Sequence, residues 1–501
     1  MSLIPSFRSR FAGRSAFLGQ SNRRIDQRVK NNLGKIRVPL PQDADLKFRN
    51  TKLEVLDAYY ENRQYDHLQP WQDKCDFDGN HMSIYERKPS INAGLATIVC
   101  QRVASKLVGK SHFPSFKVEG DDNTNEYLRF ILKASNLQYN LLEPVRRMGA
   151  AGSCLVRYYF VEGKIQIEHY LSKYCYPVFN SVGELESVTI RYVTQIDDET
   201  NEKGEPVYRW FQLKLTETSD IEYNNPLYKE KEAPRFSVVS EVTHSLGFVQ
   251  AEWLRIAKVN GQVDGPSLIY DGLDFFDSIN YSLSQSDKAV AYNQDPQLLL
   301  NKIDEESVAS LIKSAAKGWN LGSEGDARFL EAGMSGVETA LEFRDKVKLA
   351  MTDLTRVALM DPDKMVAHAT SGKALEILSG PFVDLIQEIQ SPVEESIKNI
   401  LVKMAVTNLV IIQRGGQPAV TIPLGFAPSS LIVTVTWPPI FPMTMEDLQK
   451  KVAIAVSASS GNIISRETAT RYIAKEFGVE DIEDEINKVN TQPILNPFGS
   501  F

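Results

Sequence analysis

Residues 264–292, with the sequence DGPSLIYDGLDFFDSINYSLSQSDKAVAY, decide how this chain is organised. The stretch opens on the turn-forming sequence Asp264-Gly265-Pro266-Ser267, and a proline in the first turn of a helix loses no hydrogen bond. The residues that follow predict one helix from Leu268 to about Tyr292, roughly 35 to 40 Å long at ~1.5 Å per residue. The pattern of the chain differs on the two sides of this helix.

The region from about 150 to 260, before the helix, predicts antiparallel strands. Alternating apolar and polar residues favour strands, and Glu162-Gly163 is typical of a tight hairpin turn. The predicted strands are Cys154–Val161, Lys164–Tyr170, Leu185–Ile196, Val207–Leu215, Phe236–Val239 and Phe248–Ala257.

Helices are predicted in front of these strands. The pattern indicates one over Lys52–Tyr65 and one that is capped by Ser90 and ends at Gly109. A third, Asn125–Met148, is expected to kink or break at Pro144 and to stop at the small-residue turn Gly149–Gly152.

After residue 292 the chain predicts a small insert and then more helix. The insert has strands at Pro296–Leu300 and Ala327–Glu331 around a helix at Glu305–Ala316. The elements predicted beyond it are a helix from Gly336 to Leu359, a kinked or restarted helix to about Ile412, a strand at Leu431–Trp437, and helices at Met445–Ser459, Arg466–Phe477 and Asp481–Val489.

The composition is that of an ordinary folded protein. Of 501 residues, 43% are hydrophobic and 24% charged, which excludes collagen, a disulfide mini-protein and wholesale disorder. The length suggests about three cooperating units. Four cysteines without CxxC spacing predict reduced thiols, and neither a membrane-spanning run nor a secretory signal is expected.

The net charge of −8 is unevenly distributed. The amino-terminal arm carries nine arginines and lysines against Asp26, which gives it a charge of +8 and leaves −16 for the rest of the chain. The arm is expected to be a flexible tail that could contact nucleic acid or an acidic partner. The acidic remainder argues against a protein that clamps duplex DNA tightly, because such binding needs many cationic contacts to phosphate.

Motifs for catalysis are missing. Gly372-Lys373 is followed by Ala374 and is not a phosphate-binding loop, and the six histidines have no metal-ligand spacing. Gly333-Met334-Ser335-Gly336 lacks the spacing of a nucleophile elbow and is better interpreted as a helix cap. Asp271, Asp274 and Asp277 lie at i, i+3 and i+6 of the long helix, which in a single chain favours a solvated face over an acid/base pair.

The order of these parts resembles the portal, or head-to-tail connector, proteins of tailed bacteriophages. The resemblance covers roughly residues 50–490 and rests on a succession of weak motifs in one order. They are Gly265-Pro266-Ser267, Asp277-Ser278-Ile279-Asn280 in the long helix, Ser371-Gly372-Lys373-Ala374-Leu375, Val435-Thr436-Trp437-Pro438, Met445 to Lys450, Gly461 to Ala469, and the acidic Glu480 to Glu485.

The resemblance implies an α+β, portal-like fold with a mixed α/β wing, long stem helices, a small α/β clip insert and a helical carboxy-terminal crown. The expected parts are a basic flexible arm (1–40), a wing of helices and antiparallel strands (41–263), a first stem helix (264–292), a clip (293–335), a second stem helix (336–359), a tunnel loop (360–371), a further wing part with a long kinked helix and a strand (372–444), crown helices (445–490) and a tail (491–501).

The resemblance also implies a function without catalysis or cofactor. It predicts a ring, typically of twelve copies, at one capsid vertex, assembled in the host cytoplasm and forming a channel for packaging and ejecting double-stranded DNA. The implied partners are the terminase or packaging motor, neck or adaptor proteins and the major capsid protein, with no membrane.

Three groups of residues become candidates within that ring. We expect the tunnel loop to meet DNA transiently, acidic bands on the stem to repel phosphate so that DNA slides, and the clip strands to pair with a neighbouring subunit. These candidates are Asp363, Lys364, Met365, Val366 and His368 in the loop, Asp271, Asp274 and Asp277 on the stem, and Gln297, Leu298, Leu299, Arg328, Phe329 and Leu330 in the clip.

A second hypothesis comes from a different class of protein. Asp361, Asp363 and nearby carboxylates could supply oxygen ligands to Mg²⁺, which would suit a multidomain, metal-dependent enzyme that processes nucleic acids. No sequence motif supports this alternative. A metal-dependent nuclease assay distinguishes it from the structural ring.

Overall fold

A computed structural model describes most of the chain between residues 42 and 488, and the chain forms two compact units. The first unit holds the residues up to Val357 together with Glu388–Trp437, and the second holds Ala358–Gln387 together with Pro438–Phe501. The described residues are 42–71, 82–118, 121–200, 204, 206–229, 232–244, 246–294, 297–301, 326–330, 335–357, 379–422, 433–440, 445–474, 477, 485–486 and 488.

Long helices and antiparallel strands alternate in blocks, which confirms the α+β class. The helices are α1 (Gln42–Tyr60), α2 (Leu95–Val108), α3 (Asp122–Ser135), α4 (Leu137–Ala151), α5 (Leu273–Gln294), α6 (Ser335–Thr355), α7 (Gly380–Gln413), α8 (Met445–Ser460) and α9 (Arg466–Ala474).

The strands are β1 (Ser115–Lys117), β2 (Ser153–Val161), β3 (Lys164–Leu171), β4 (Cys175–Phe179), β5 (Leu185–Thr200), β6 (Pro206–Thr216), β7 (Ser219–Tyr223), β8 (Val238–Thr243), β9 (Ala251–Arg255), β10 (Gln297–Asn301), β11 (Asp326–Leu330) and β12 (Thr434–Thr436).

Two antiparallel sheets share the β core of the first unit. One has the strand order β3-β2-β9 and the other β4-β5-β6-β7-β8. A single buried cluster joins them, to which Leu155 and Trp253 contribute from the first sheet and Val188 and Leu215 from the second. Burying these large side chains supplies the main driving force for this part of the fold.

The predicted hairpin at Glu162-Gly163 is confirmed. Both residues have positive φ, 49° and 71°, as a two-residue hairpin turn of this type requires. The β2 and β3 strands then pair from Val161 with Lys164 to Cys154 with Leu171.

Three helix predictions need correction. The first helix, α1, starts earlier than predicted and ends at Tyr60. Helix α2 starts five residues after Ser90 and has Gly94 as its N-cap, although its predicted end at Gly109 is confirmed. The break in the third region lies at Asn136, whose left-handed backbone ends α3, whereas Pro144 sits inside α4.

The start of the long helix α5 is fixed to the turn at the end of α4. Ser267 Oγ donates to the Ala150 carbonyl at 2.5 Å, and the Leu268 amide donates to the Gly149 carbonyl at 3.0 Å. The chain then makes a 3₁₀ turn over Tyr270–Gly272 before α5 begins, so the regular helix starts at Leu273 rather than at Leu268. The small-residue turn Gly149–Gly152 and the turn Asp264–Ser267 are therefore in contact in the folded chain.

Candidate channel and assembly surfaces

The two long helices α5 and α6 pack against one another in the first unit. Ser282 Oγ of α5 donates to the Ala340 carbonyl of α6 at 3.4 Å. The far end of α6 contacts the 3₁₀ turn that precedes α5, and Met351 near that end is fully buried. The helices are therefore antiparallel, as expected for two helices joined at one end by a short insert.

A row of polar side chains on α5, Asp277, Asn280 and Ser284, holds this helix to the amino-terminal part of the chain. Asp277 is 2% exposed and accepts hydrogen bonds from the Tyr59 hydroxyl at 2.7 Å and the Tyr65 hydroxyl at 2.5 Å. Burial and the neighbouring carboxylate of Asp277 raise the pKa of both tyrosines, so both remain protonated donors.

The row of polar side chains continues one and two turns further along α5. Asn280 accepts from the Ala93 amide at 2.9 Å, and Ser284 Oγ accepts from the Ile91 amide at 3.0 Å. Asp277, Asn280 and Ser284 thus anchor backbone and side chains that belong to distant parts of the sequence. Sequence reasoning missed this site, although the polar residues at i, i+3 and i+7 of a core-facing helix were a signal for it.

The predicted acidic face of the stem is wrong for Asp277, because its carboxylate is buried under two tyrosine hydroxyls. Asp271 is exposed but lies in the 3₁₀ turn before the helix, and Asp274 is half-buried. In this chain the three aspartates therefore do not share one solvated face. Asp271 and Asp274 alone are left as candidates for an acidic band.

The predicted strands of the insert pair with one another as an antiparallel ribbon. Residues of β10 and β11 oppose each other in the order Gln297 with Leu330, Leu298 with Phe329 and Leu299 with Arg328. This sheet has two strands among the described residues, so each strand has one edge that no described strand covers. Pairing of those edges with a neighbouring subunit is still a prediction.

The loop candidates Asp363, Lys364, Met365, Val366 and His368 lie outside the described residues, as do Asp361 and the helix predicted at Glu305–Ala316. The described chain stops at Val357, just after α6, and resumes at Ser379.

Helix α6 has an exposed apolar flank, which the described part of the chain does not cover. Phe343 is 55% exposed and Leu354 is 45% exposed, and Ala350 between them is exposed as well. With 3.6 residues per turn, positions i, i+7 and i+11 lie on one side of a helix, and this side is about 60–80° around the axis from the stripe through Ala340 and Met351 that faces α5. Contiguous exposed apolar stripes of this kind are typical of surfaces that bind another protein.

The second unit holds a cleft of about 570 Å³ beside α8 and α9. Apolar side chains dominate its lining, among them Val456, Ala469, Ile473 and Phe477. Val456 and Phe477 are also strongly exposed. The region predicted to form the crown therefore carries an apolar surface of its own.

Metal-binding clusters and membrane-spanning helices are both absent from the part of the chain that the structure describes. Across the described ranges, no three histidine, cysteine or acidic side chains lie close enough to hold a metal ion. Among the helices that the structure describes, none has both the length and the apolar character needed to cross a bilayer.

Comparison with known proteins gives one family. The family described as phage portal protein, SPP1 Gp6-like, matches residues 43–492. No curated protein matches the chain at a significant level. The matched range covers most of both compact units, including α5, the β10–β11 ribbon, α6 and the carboxy-terminal helices, and it leaves out the basic arm. Proteins of this family are structural and not enzymes. Because the match extends over residues 43–492, the chain belongs to the SPP1 Gp6-like phage portal proteins, the head-to-tail connectors of bacteriophage virions.

Proposed function

We propose that this chain forms a ring, of twelve copies, at one vertex of a phage capsid, and that the ring is the channel through which double-stranded DNA is packaged and ejected. The observation that carries the proposal is the family match, which runs through almost the whole described chain. Assembly would take place in the host cytoplasm before the ring enters the virion.

The apolar flank of α6 supports assembly into a ring. A heterologous contact between identical subunits closes into a ring when its rotation divides a full turn, and it uses two different surfaces of each copy. Phe343, Ala350 and Leu354 supply one such surface, since their own chain leaves them exposed. The surface they meet would be a stem helix of the next copy.

We assign the parts to their roles by their place between and beside the two long helices. Helices α5 and α6 form the stem, the β10–β11 ribbon forms the clip, residues 360–371 form the tunnel loop, and the helices from Met445 form the crown. The clip would dock the packaging motor and the neck or adaptor proteins, while the wing and crown would meet the major capsid protein and the packaged DNA.

Within the channel the proposed contact with DNA is transient. The loop carries Asp361 and Asp363 against Lys364 and His368, so it has no strong field of one sign. Lys364 and His368 would touch phosphate briefly, and Met365 and Val366 would form a soft constriction. Asp271 and Asp274, repeated around the ring, would repel phosphate and keep the duplex moving.

Two replacements test these roles in assembled particles. Deleting Gln294–Ala332 with a short linker should leave the ring intact and abolish docking of both the motor and the neck proteins. Replacing Asp363–Ala369 with a Gly/Ser segment should leave the ring assembled but impair DNA packaging or retention. Retained docking would refute the assigned clip, and wild-type packaging and retention would refute the assigned tunnel loop.

A further inference from the structure

Three helix ends meet at one place in the first compact unit. The amide of Asn136, which ends α3, donates to the carbonyl of Lys133 at 3.3 Å, and α4 begins at the next residue. Gln138 Nε2, in the first turn of α4, donates at 3.2 Å to the carbonyls of Gly109 and Lys110, which follow α2. The carboxy-terminal ends of α2 and α3 therefore lie beside the amino-terminal end of α4.

The sequence around this meeting point is rich in cations and poor in carboxylates. Residues 87–118 contain six arginines and lysines and no aspartate or glutamate. Residues 127–142 contain Arg129 and Lys133 and again no acidic residue. Because the chain outside the basic arm has a net charge of −16, this concentration of positive charge is a local feature of these helix ends.

Five of these cations and one tyrosine define a basic surface. Lys110, Arg129 and Lys133 are exposed. Tyr139, in the first turn of α4, is 73% exposed. The two remaining cations lie one turn apart on the side of α2 that faces away from its buried stripe. The basic surface consists of Arg102, Lys106, Lys110, Arg129, Lys133 and Tyr139.

The charged groups of the basic surface are available to an external anion. Within the described ranges, none of Lys110, Arg129 and Lys133 forms an ion pair. Partial burial lowers the pKa of the Lys106 ammonium and of the Arg102 guanidinium. An anion placed beside these two groups would stabilise their charged forms.

The carboxylates that are nearby in the sequence leave most of this charge uncompensated. Asp121 and Asp122 lie at the opposite end of α3, ~20 Å away at ~1.5 Å per residue. Glu143 of α4 pairs with arginines of its own helix. Of these carboxylates, Glu126, one turn before Arg129 on α3, is left to face the five cations.

Helix chemistry alone explains only part of this arrangement. A cation in the last turn of a helix is favoured by the partial negative charge there, which accounts for Lys106 in α2 and Lys133 in α3. Lys110 lies beyond the end of α2, Arg129 lies more than a turn before the end of α3, and Tyr139 is a large aromatic side chain in solvent. Lysine, arginine and tyrosine side chains are among the groups that contact phosphate in protein–DNA complexes.

We propose that the basic surface binds the sugar–phosphate backbone of duplex DNA, through residues other than those of the tunnel loop. The lysines and arginines pair with phosphate oxygens, and the Tyr139 hydroxyl donates to one. Such contacts carry no sequence information, so the binding is independent of sequence and sensitive to salt. The choice of duplex DNA as the polyanion rests on the proposed function, whereas the attraction for a polyanion rests on the charges of the basic surface.

Charge reversal at two exposed lysines tests the basic surface in the full-length protein. Fluorescence anisotropy measures the binding of a fluorescein-labelled duplex of about 30 base pairs between ~50 and ~200 mM salt. We expect the double variant Lys110→Glu, Lys133→Glu to weaken binding about tenfold or more at the lowest salt. The slope of log K against log salt should fall in magnitude by ~2, since each lost phosphate contact contributes ~0.9.

A matched double variant controls for net charge. Lys164→Glu, Lys258→Glu makes the same change of charge at two exposed positions outside the basic surface, and the basic arm is present in every protein. We expect the affinity and the salt slope of this control to be close to those of the unmodified protein. Equal effects of the two double variants, or unchanged binding in Lys110→Glu, Lys133→Glu, would overturn the proposal and assign DNA binding to the arm or to net charge.

Variants of Tyr139 distinguish duplex from single-stranded DNA. On a duplex, Tyr139→Phe and Tyr139→Ala should weaken binding by the same factor, because both variants lack the hydroxyl. On a single strand, a phenylalanine ring would still stack on a base and a methyl group would not. Tighter binding of a single strand of the same length, kept in Tyr139→Phe and lost in Tyr139→Ala, would overturn the assignment to duplex DNA.

Imaging of the unmodified protein separates this inference from the proposed function. If rings form and the two double variants bind DNA equally, the basic surface is wrong and the proposed function stands. If no rings form and the two double variants still differ in binding, the proposed function is wrong and the attraction of the basic surface for a polyanion stands.

Discussion

Gly152 and Gly265 lie with their backbones in direct contact. A β-carbon on Gly152 would lie 2.0 Å from the carbonyl oxygen of Gly265, and one on Gly265 would lie 2.7 Å from the carbonyl oxygen of Gly152. Gly152 ends α4, and Gly265 lies in the turn that leads to α5. The junction between the end of α4 and the turn before α5 therefore depends on two residues without side chains.

Gly152→Ala should destabilise the protein strongly, and a matched glycine supplies the control. Gly183 has the same φ of +86° but has nothing within 4 Å of the position of a β-carbon. Gly183→Ala should therefore cost only the backbone term, about 1–2 kcal/mol. Gly152→Ala adds a clash with backbone and should cost ~3 kcal/mol or more, or leave the protein insoluble. Equal melting temperatures for the two variants would contradict the close approach.

Asp277→Ala should destabilise the protein because it leaves two buried tyrosine hydroxyls without their acceptor. Unmade hydrogen bonds to a charged group cost ~1.5–3 kcal/mol each, so we expect a loss of roughly 3 kcal/mol in the free energy of unfolding. Asp271→Ala, at an exposed position of the adjacent turn, should change it by less than about 0.5 kcal/mol. The free energy of unfolding of both variants, measured by denaturant unfolding, tests this prediction. A similar, small effect at both sites would restore the prediction of a common solvated face.

The described cysteines should resist labelling in the folded protein. Burial raises the pKa of the Cys100 and Cys175 thiols above the ordinary value and that of Cys154 to about 12. In a Cys75→Ser variant at pH 8, a thiol reagent should therefore react only after unfolding. Because the folded-state pKa values are raised, these thiols favour folding below the unfolded pKa of ~8.5, and that contribution declines as the pH rises above it. Rapid labelling of the native protein would show that the β core opens readily.

Charge on the apolar flank of α6 should stop assembly without unfolding the chain. Phe343→Glu and Leu354→Glu place carboxylates where we expect the neighbouring copy, whereas Lys348→Glu reverses a charge on another side of the same helix. The first two variants should sediment as folded monomers with unchanged circular dichroism, and the control should assemble. Rings of normal size with either glutamate on the flank would show that neighbouring copies contact each other through a different surface.

Local chemistry explains what the sequence predicted well. The hairpin at Glu162-Gly163 depends on two residues with positive φ, and neighbouring residues along the chain determine it. The long helices likewise follow from residues within each helix. These features need no knowledge of distant contacts.

The wrong predictions concern features that are determined by contacts between residues far apart in the sequence or by small differences in backbone preference. Asp277 appeared solvated because its partners Tyr59 and Tyr65 are more than 200 residues away in the sequence. The helix break fell at Asn136 rather than Pro144, since asparagine tolerates the left-handed conformation that ends a helix.

The central claim is that this chain assembles into a ring with a channel, and imaging of the purified full-length protein tests it most directly. Two-dimensional class averages from electron cryomicroscopy should show, in axial view, a closed ring of typically twelve copies around a central hole. A monodisperse monomer at working concentration, with no rings in the images, would contradict the account.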